Sequence, residues 1–255
     1  MTTIIECQDV SLQFKGDKQP VITNLDLQVQ AGEFVSIVGK SGSGKTTLLQ
    51  MIAGLLSPTK GEIKIAGQVI DKPIDQITYV FQKPILLEWR NVLENVLVPI
   101  ELKRKLNLPD IEKAKEVISL VGLSGHEGKY PHELSGGMMS RVTLARALIT
   151  EPRILLMDEP FSALDAMTKE QLQLELMELS VRFSSTILFI THDITEAVYL
   201  SDRVILLGEQ PAQVVNVSHV PMSRPRPKEL KFEPSFTKIV KEIYEAIERI
   251  GDSSR

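Results

Sequence analysis

Residues Val38–Thr47 read VGKSGSGKTT. Gly39, four residues, then Gly44-Lys45-Thr46 fit the spacing G-x-x-x-x-G-K-[ST]. The run before it, EFVSIVG, is short and apolar, as a buried strand is. The run after it, LLQMIAGLL, reads as a helix that ends near the turn SPTKGE. A glycine-rich stretch between strand and helix is the setting of a phosphate-binding loop. Its glycines let the backbone of Gly39, Lys40, Ser41, Gly42, Ser43 and Gly44 curl until N–H groups point inward, and the helix adds its positive end. Lys45 is expected to reach the β- and γ-phosphates of a nucleotide and the Thr46 hydroxyl to ligate Mg2+, with Thr47 completing the set. Average residue usage gives a chance match in roughly 1% of chains this long, so a plain glycine turn is the weaker reading.

Working outward, three later runs are apolar and β-rich: RILLMDEP, TILFITHD and DRVILLG. Helical text (TKEQLQLELMEL) separates the first two and the short TEAVYLS the last two. Strands buried on both faces and alternating with helices imply an α/β fold with a parallel sheet. Ligands in such folds sit at the carboxyl ends of strands. That places Asp158 to hold Mg2+, and turns Glu159 elsewhere, where it could polarise an attacking water. His192 follows the next strand and could hydrogen-bond a γ-phosphate. An acid or a histidine after a strand is ordinarily structural. The loop upstream reverses those odds.

The opening third reads as strands: IIECQDVSLQF, NLDLQVQ, the hairpin arm EIKIAGQVI, and ITYVF. From about Val92 to Ile149 the character turns helical, in NVLENVLVPIELKRK, DIEKAKEVISLVGL and MMSRVTLARALIT. Within this insert HELSGGMMSR sets two glycines and two methionines at a helix mouth, although glycine lowers helix stability by about 1 kcal/mol relative to alanine. Ser135 is well placed as the N-cap, with Gly136 and Gly137 opening the helix without side chains. The tail SRPRPKELKFEP reads as an extended linker. It leads to an amphipathic helix carrying Phe236, Ile239, Val240, Ile243, Ile247 and Ile250, with Gly251 as its stop. The expected division is a domain over 1–220, with a helical subdomain over about 90–149, then a linker and helix over 221–255.

Composition bounds the function. The 255 residues are 43% hydrophobic and 24% charged, ordinary for a soluble globular chain. The net charge of −4 gives no basic footprint, so no nucleic-acid partner is expected. A single cysteine, Cys7, cannot form an internal disulfide and reads as a small buried residue. The start lacks the pattern of a signal peptide, and no apolar run approaches membrane-span length. A membrane role must then come through a partner.

The phosphate loop, the acidic pair, His192 and LSGG together resemble the nucleotide-binding subunit of an ATP-binding-cassette (ABC) transporter, in order from about Ile4 to Gly208. The resemblance implies a P-loop NTPase core of RecA-like type, with an antiparallel β subdomain and a helical subdomain. It implies ATP and Mg2+ as ligands. Phe14 stands where the family stacks an aromatic on adenine, more often Tyr. Gln82 matches the glutamine that contacts Mg2+ or the attacking water and senses the permease. Ser135, Gly136, Gly137 and Met138 match the signature that receives the ATP of a second subunit, so two copies would bind head to tail. Ser162-Ala163-Leu164-Asp165 matches the D-loop, and His192 the switch histidine. The run PILLEWRNVLENV, Met138 and the late tail are similar to the importer group for nitrate, sulfonate, taurine, bicarbonate and pyrimidine precursors. That implies permease subunits, an external solute-binding protein, and a peripheral place on the cytoplasmic face of a bacterial membrane. Leu86–Arg90 lies where the permease would dock, with Trp89 either an anchor there or ordinary core. The run Lys103-Arg104-Lys105 reads as a solvated helix face sooner than a lipid contact. Met139 and Ser140 depart from the usual signature and are expected to bear on subunit contact. A soluble ABC protein of DNA repair or translation, and a non-catalytic nucleotide-gated module, are the competing readings. The first typically adds a long coiled-coil insert or a second cassette, and the second would lack Glu159 or His192.

Overall fold

A computed structural model describes residues 2–162 and 164–253, with side chains through 249. The strands are β1 (Thr3–Leu12), β2 (Ile22–Gln30), β3 (Phe34–Val38), β4 (Lys60–Ile65), β5 (Gln68–Val69), β6 (Ile77–Val80), β7 (Ile154–Asp158), β8 (Thr186–Ile190), β9 (Arg203–Leu207) and β10 (Val214–His219). The helices are α1 (Lys45–Ile52), α2 (Val92–Glu101), α3 (Leu108–Leu120), α4 (Gly136–Leu148), α5 (Ala166–Phe183), α6 (Ile194–Leu200) and α7 (Pro234–Ser253). Six strands form one sheet in the order β10-β9-β3-β8-β7-β6, parallel except for β10. The other four form an antiparallel sheet, β2-β1-β4-β5. The fold is an α/β P-loop NTPase core with an antiparallel β layer and a helical portion.

The apolar strands bury both faces because successive side chains point to opposite sides. Phe34, Leu155, Met157, Ile187 and Phe189 join a core shared with the helices α2–α6. Their neighbours Val35, Ile37, Ile154, Leu156, Leu188 and Ile190 join a second core, closed by α1 and the antiparallel sheet. Cys7 lies there, its thiol pushed up to about 12 by burial first and by Asp26 and Glu6 second, which leaves it inert. Register places the strand ends together: Asp158 lies level with Ile190, Ile190 with Ile37, and Met157 with Val80. The loops after β3, β6, β7 and β8 therefore leave from one edge.

Capping explains the helices that the insert supplies. Asn91 and Glu94 form a reciprocal capping box at the start of α2, and Asn107 and Asp110 do the same for α3. The helical text of LKRK is not realised, since α2 stops at Glu101. Instead Lys103 pairs with Asp75 at 2.9 Å, and Arg104 grips Asp110 through both carboxylate oxygens at 2.6 and 2.7 Å.

The tail departs from the expected linker. Arg226 is 1% exposed, and its guanidinium donates to the carbonyls of Val198, Tyr199 and Ser201, each at 2.9 Å. These are the carbonyls that the end of α6 leaves unpaired, and the helix dipole there favours a cation. Burial lowers this guanidinium to about 10, so it stays charged at neutral pH. Beyond it, α7 seats Phe236 and Ile243 in the core, with Ile239, Val240 and Ile247 half-buried beside them. The amphipathic stripe packs on its own chain, and the helix runs past Gly251 to Ser253. Ile250 falls outside the described side chains. β10 was not legible as a strand and adds an antiparallel edge to the sheet.

Candidate active site

Gly39 ends the run of β3 and turns the chain over the sheet. A Cβ there would lie 2.8 Å from the Leu207 carbonyl and 2.9 Å from Ser43 Oγ, so no side chain fits. Gly44, the N-cap of α1, has φ +85°, a left-handed conformation that favours glycine. Lys45 opens α1 and folds back, its Nζ donating to the carbonyls of Gly39 at 2.9 Å and Lys40 at 2.8 Å. The loop is thus held in an arc around an ammonium. Burial lowers the Lys45 pKa, against the pull of Glu159 and Asp158. Ser43 Oγ is buried with no partner. Outside the arc, Gln210 donates to the Gly42 carbonyl at 2.9 Å, and Lys40 pairs with Glu209. Neither brace was foreseen, because both partners come from the loop after β9.

Asp158 closes β7 and is 8% exposed. Thr46 Oγ1 donates to its Oδ1 at 3.1 Å and Tyr79 OH to its Oδ2 at 3.2 Å. Burial raises the Asp158 pKa, and the two hydroxyl donors oppose that. The Tyr79 phenol is raised by burial and by Asp158, so it remains a donor. Tyr79 is a site residue that the sequence reading missed, as one aromatic in a strand of apolar residues. The next residue, Glu159, has φ +44°. A non-glycine residue in that region carries strain of about 1–3 kcal/mol, and here it turns the carboxylate away from Asp158. Glu159 Oε2 accepts from Gln82 Nε2 at 3.2 Å and lies 3.2 Å from His192 Nδ1. Gln82 also approaches Ser162 Oγ at 3.5 Å. Gln82, Glu159 and His192 thus converge on one oxygen, although they follow β6, β7 and β8.

Gln82 and Glu159 line a cleft of about 550 Å³ together with Phe14 and Ser41 through Thr47, while His192 and Asp158 do not line it. Phe14 is 42% exposed, so its ring face is available. The donors Thr46, Gln82 and Asp158 are all hard oxygens, which suits Mg2+. Among the described residues no three His, Cys, Asp or Glu gather as a metal cage. An ion held there would need its remaining ligands from water or phosphate, as Mg2+ usually does. A second hollow of about 370 Å³ is lined mostly by apolar residues, among them Phe81, Ile85, Leu87, Val98, Pro99 and Leu102, with Lys83, Thr143 and Arg146 also on its wall. Trp89 is 73% exposed and is not core. Asn95, unforeseen, holds the backbone between these regions, accepting from Leu87 N–H at 2.8 Å and donating to the Leu87 and Arg90 carbonyls at 3.1 and 2.9 Å.

The signature lies elsewhere. Ser135 is the N-cap of α4, its Oγ accepting from the Met138 N–H at 3.3 Å. No acid occupies the first turn, and Gly136 has open space where a side chain would be. None of Ser135, Gly136, Gly137 and Met138 lines the cleft of its own chain. Gly137 has an internal reason as well: a Cβ there would stand 2.6 Å from Thr168 Cγ2. Thr168 sits in the first turn of α5, whose N-cap is Asp165, with Oδ1 accepting from Thr168 N–H at 3.0 Å. Signature and D-loop are therefore packed together; Ala163 lies outside the described residues. Met138 and Met139 pack half-buried against the core, and Ser140 lines a small crevice with Gln82 and Phe161. Met139 and Ser140 thus have neighbours within their own chain while staying half-exposed on the flank of α4.

Comparison with known proteins adds the family. The ABC transporter family matches residues 22–162. An aliphatic sulfonates import ATP-binding protein of Bacillus cereus is 41% identical over 91% of this chain and 90% of its own length. A bicarbonate transport ATP-binding protein of Synechocystis is 40% identical over 89% of this chain and 83% of its own. Among solved structures, a dimeric post-hydrolysis state of an ATP-binding cassette bound to ADP and Pi aligns with TM-score 0.76 and 31% identity, over 86% of this chain and 100% of that one.

Proposed function

The chain belongs to the ABC transporter family, and on that premise we propose that it is the ATP-hydrolysing subunit of an importer for a small anionic or related solute, working through a separate permease. The observation that carries the reading is the shared oxygen of Glu159, met by Gln82 and His192 at the lip of the phosphate loop. ATP enters with adenine on Phe14 and its phosphates in the arc of Gly39–Thr47. Lys45 exchanges the carbonyls of Gly39 and Lys40 for β- and γ-phosphate oxygens. Thr46, Asp158 and Gln82 would hold Mg2+, which would supply positive charge against the phosphates. Glu159 takes the proton of an attacking water as its oxygen bonds to the γ-phosphorus and the bond to the ADP oxygen breaks. His192, exposed over 66% of its side chain, is free to hydrogen-bond the γ-phosphate.

The signature completes the site from a second copy. The bare N–H groups and positive end of α4 receive a partner's γ-phosphate, so two chains bind head to tail around two nucleotides. The likeness to a dimeric cassette supports this arrangement. The apolar hollow at Phe81–Leu102 accepts a permease segment, and Gln82, one residue from Phe81, links it to the reacting end. No helix among the described residues is long and apolar enough to cross a membrane. A peripheral position on the cytoplasmic face, and delivery of solute by an external binding protein, follow from the importer reading. The names of the relatives favour sulfonate, bicarbonate or nitrate classes of solute.

The test is Glu159→Gln. Turnover should fall by about 10²–10⁴, the usual worth of a positioned base, with ATP still bound. Wild-type turnover in that variant would remove Glu159 from its role. Co-purification with an integral membrane protein tests the importer setting.

A further inference from the structure

His192 is far more exposed than Glu159, the partner its ring meets, at 66% against 21% of the side chain. Its place is therefore set through its backbone. On one side Thr191 is 2% exposed, and its hydroxyl donates to Glu196 Oε2. The same hydroxyl oxygen accepts the N–H of Asp193 at 3.0 Å, on the other side of His192. Glu196 is the third residue of α6, where an acid ordinarily reaches back to the N-cap N–H. Here the Thr191 hydroxyl stands between them as a relay.

Glu196 is 5% exposed, and a buried carboxylate must be paired. Its Oε1 accepts from Gln173 Nε2 at 2.8 Å and lies 3.3 Å from Lys169 Nζ, which also holds Asp193 Oδ2 at 2.9 Å. Lys169 and Gln173 belong to α5, which starts at the D-loop. The C-terminal segment joins in. Lys231 lies 3.4 Å from Gln173 Oε1 and 3.3 Å from Glu170 Oε1, and Lys228 lies 3.2 Å from Glu170 Oε2. An ammonium on the oxygen of Gln173 fixes the amide so that its nitrogen faces Glu196.

We propose that Glu196 is a positioning residue for His192, acting through the Thr191 hydroxyl, and that Lys231 of the C-terminal segment strengthens that hold through Gln173. This rests on the reading of His192 as the γ-phosphate partner. The network runs from the tail, through the D-loop helix, to the backbone on both sides of the switch histidine. It gives the tail a direct mechanical line to the reacting phosphate, without contact to nucleotide.

The experiment uses the full-length chain with ATP, measuring kcat, nucleotide affinity and the ¹⁵N imidazole resonances. The His192 signal is assigned by its loss in His192→Ala. Thr191→Val should lower kcat by about tenfold to 100-fold, the cost of a misplacement of about 1 Å, and move the His192 signal. Nucleotide affinity should change less than about twofold, because the phosphate loop is untouched. Thr191→Ser should restore kcat and the signal, and Lys231→Ala, a milder change, should lower kcat about threefold. In a His192→Ala background, Thr191→Val should cost nothing further. Full additivity there, or an unmoved His192 signal with unchanged kcat in both Thr191→Val and Glu196→Gln, overturns the proposal. Wild-type turnover of His192→Ala itself would instead overturn the underlying role of His192.

Discussion

Two helix mouths face opposite situations in this molecule. The mouth of α1 is closed over by its own chain: Lys45 folds onto Gly39 and Lys40, Asp158 takes Thr46 and Tyr79, and Gln210 braces the loop from outside. The mouth of α4 is capped by Ser135 alone, with open space over Gly136 and no acid in its first turn. Both present N–H groups and positive dipole ends. One is built to seize a phosphate within the chain, the other to meet one brought from outside. On the proposed function, each chain holds two unlike halves of a site, and a complete site needs two chains.

Breaking the α1 side has the largest expected effect on binding. Lys45→Ala removes a charged donor to two phosphates, and ATP affinity should drop by about 3 kcal/mol, over 100-fold, in equilibrium binding. A change of less than about threefold would show that the loop holds phosphate without this ammonium. Next comes the α4 side. Gly137→Ala puts a methyl against Thr168 Cγ2, and overpacking of this kind costs about 1–3 kcal/mol in thermal or denaturant unfolding. Thr168→Ala in the same chain should relieve that loss, whereas Gly136→Ala, in open space, should not show it. If Gly136 and Gly137 respond alike, the internal packing reason for Gly137 fails. Smallest is Phe14→Ala, which should weaken adenine nucleotide binding by about 0.5–1.5 kcal/mol, roughly two- to tenfold. Inorganic triphosphate should bind both chains equally, since stacking needs a base.

The α1 mouth was legible in the sequence because its residues are contiguous and their chemistry demands that spacing. The parallel strands were legible through unbroken apolar runs such as ILLMD. The signature was legible by resemblance, yet Gly137 was read only as an opening, because Thr168 lies 31 positions away and packing is invisible along the chain. Distance also hid Tyr79, whose partner Asp158 lies 79 positions on, whereas Asn95 and the Thr191–Glu196 relay meet near neighbours in sequence and were hidden because single polar residues carry no pattern. The tail misled most. Its prolines read as an extended linker, which gave no hint that Arg226 is buried, where it finds unpaired carbonyls at the end of α6 and a buried cation is tolerable. Met138 and Met139 have a partial account, as deformable side chains that pack half-buried against the core beside the bare helix mouth.

The complementary-halves account is tested most directly by sedimentation of Glu159→Gln with ATP, alone and combined with Gly136→Asp. Glu159→Gln should sediment as a dimer with ATP and as a monomer without it. Adding Gly136→Asp sets a negative charge at the mouth of α4, and the chain should stay monomeric with ATP while still binding nucleotide as before. An ATP-dependent dimer that survives Gly136→Asp unchanged would contradict the account.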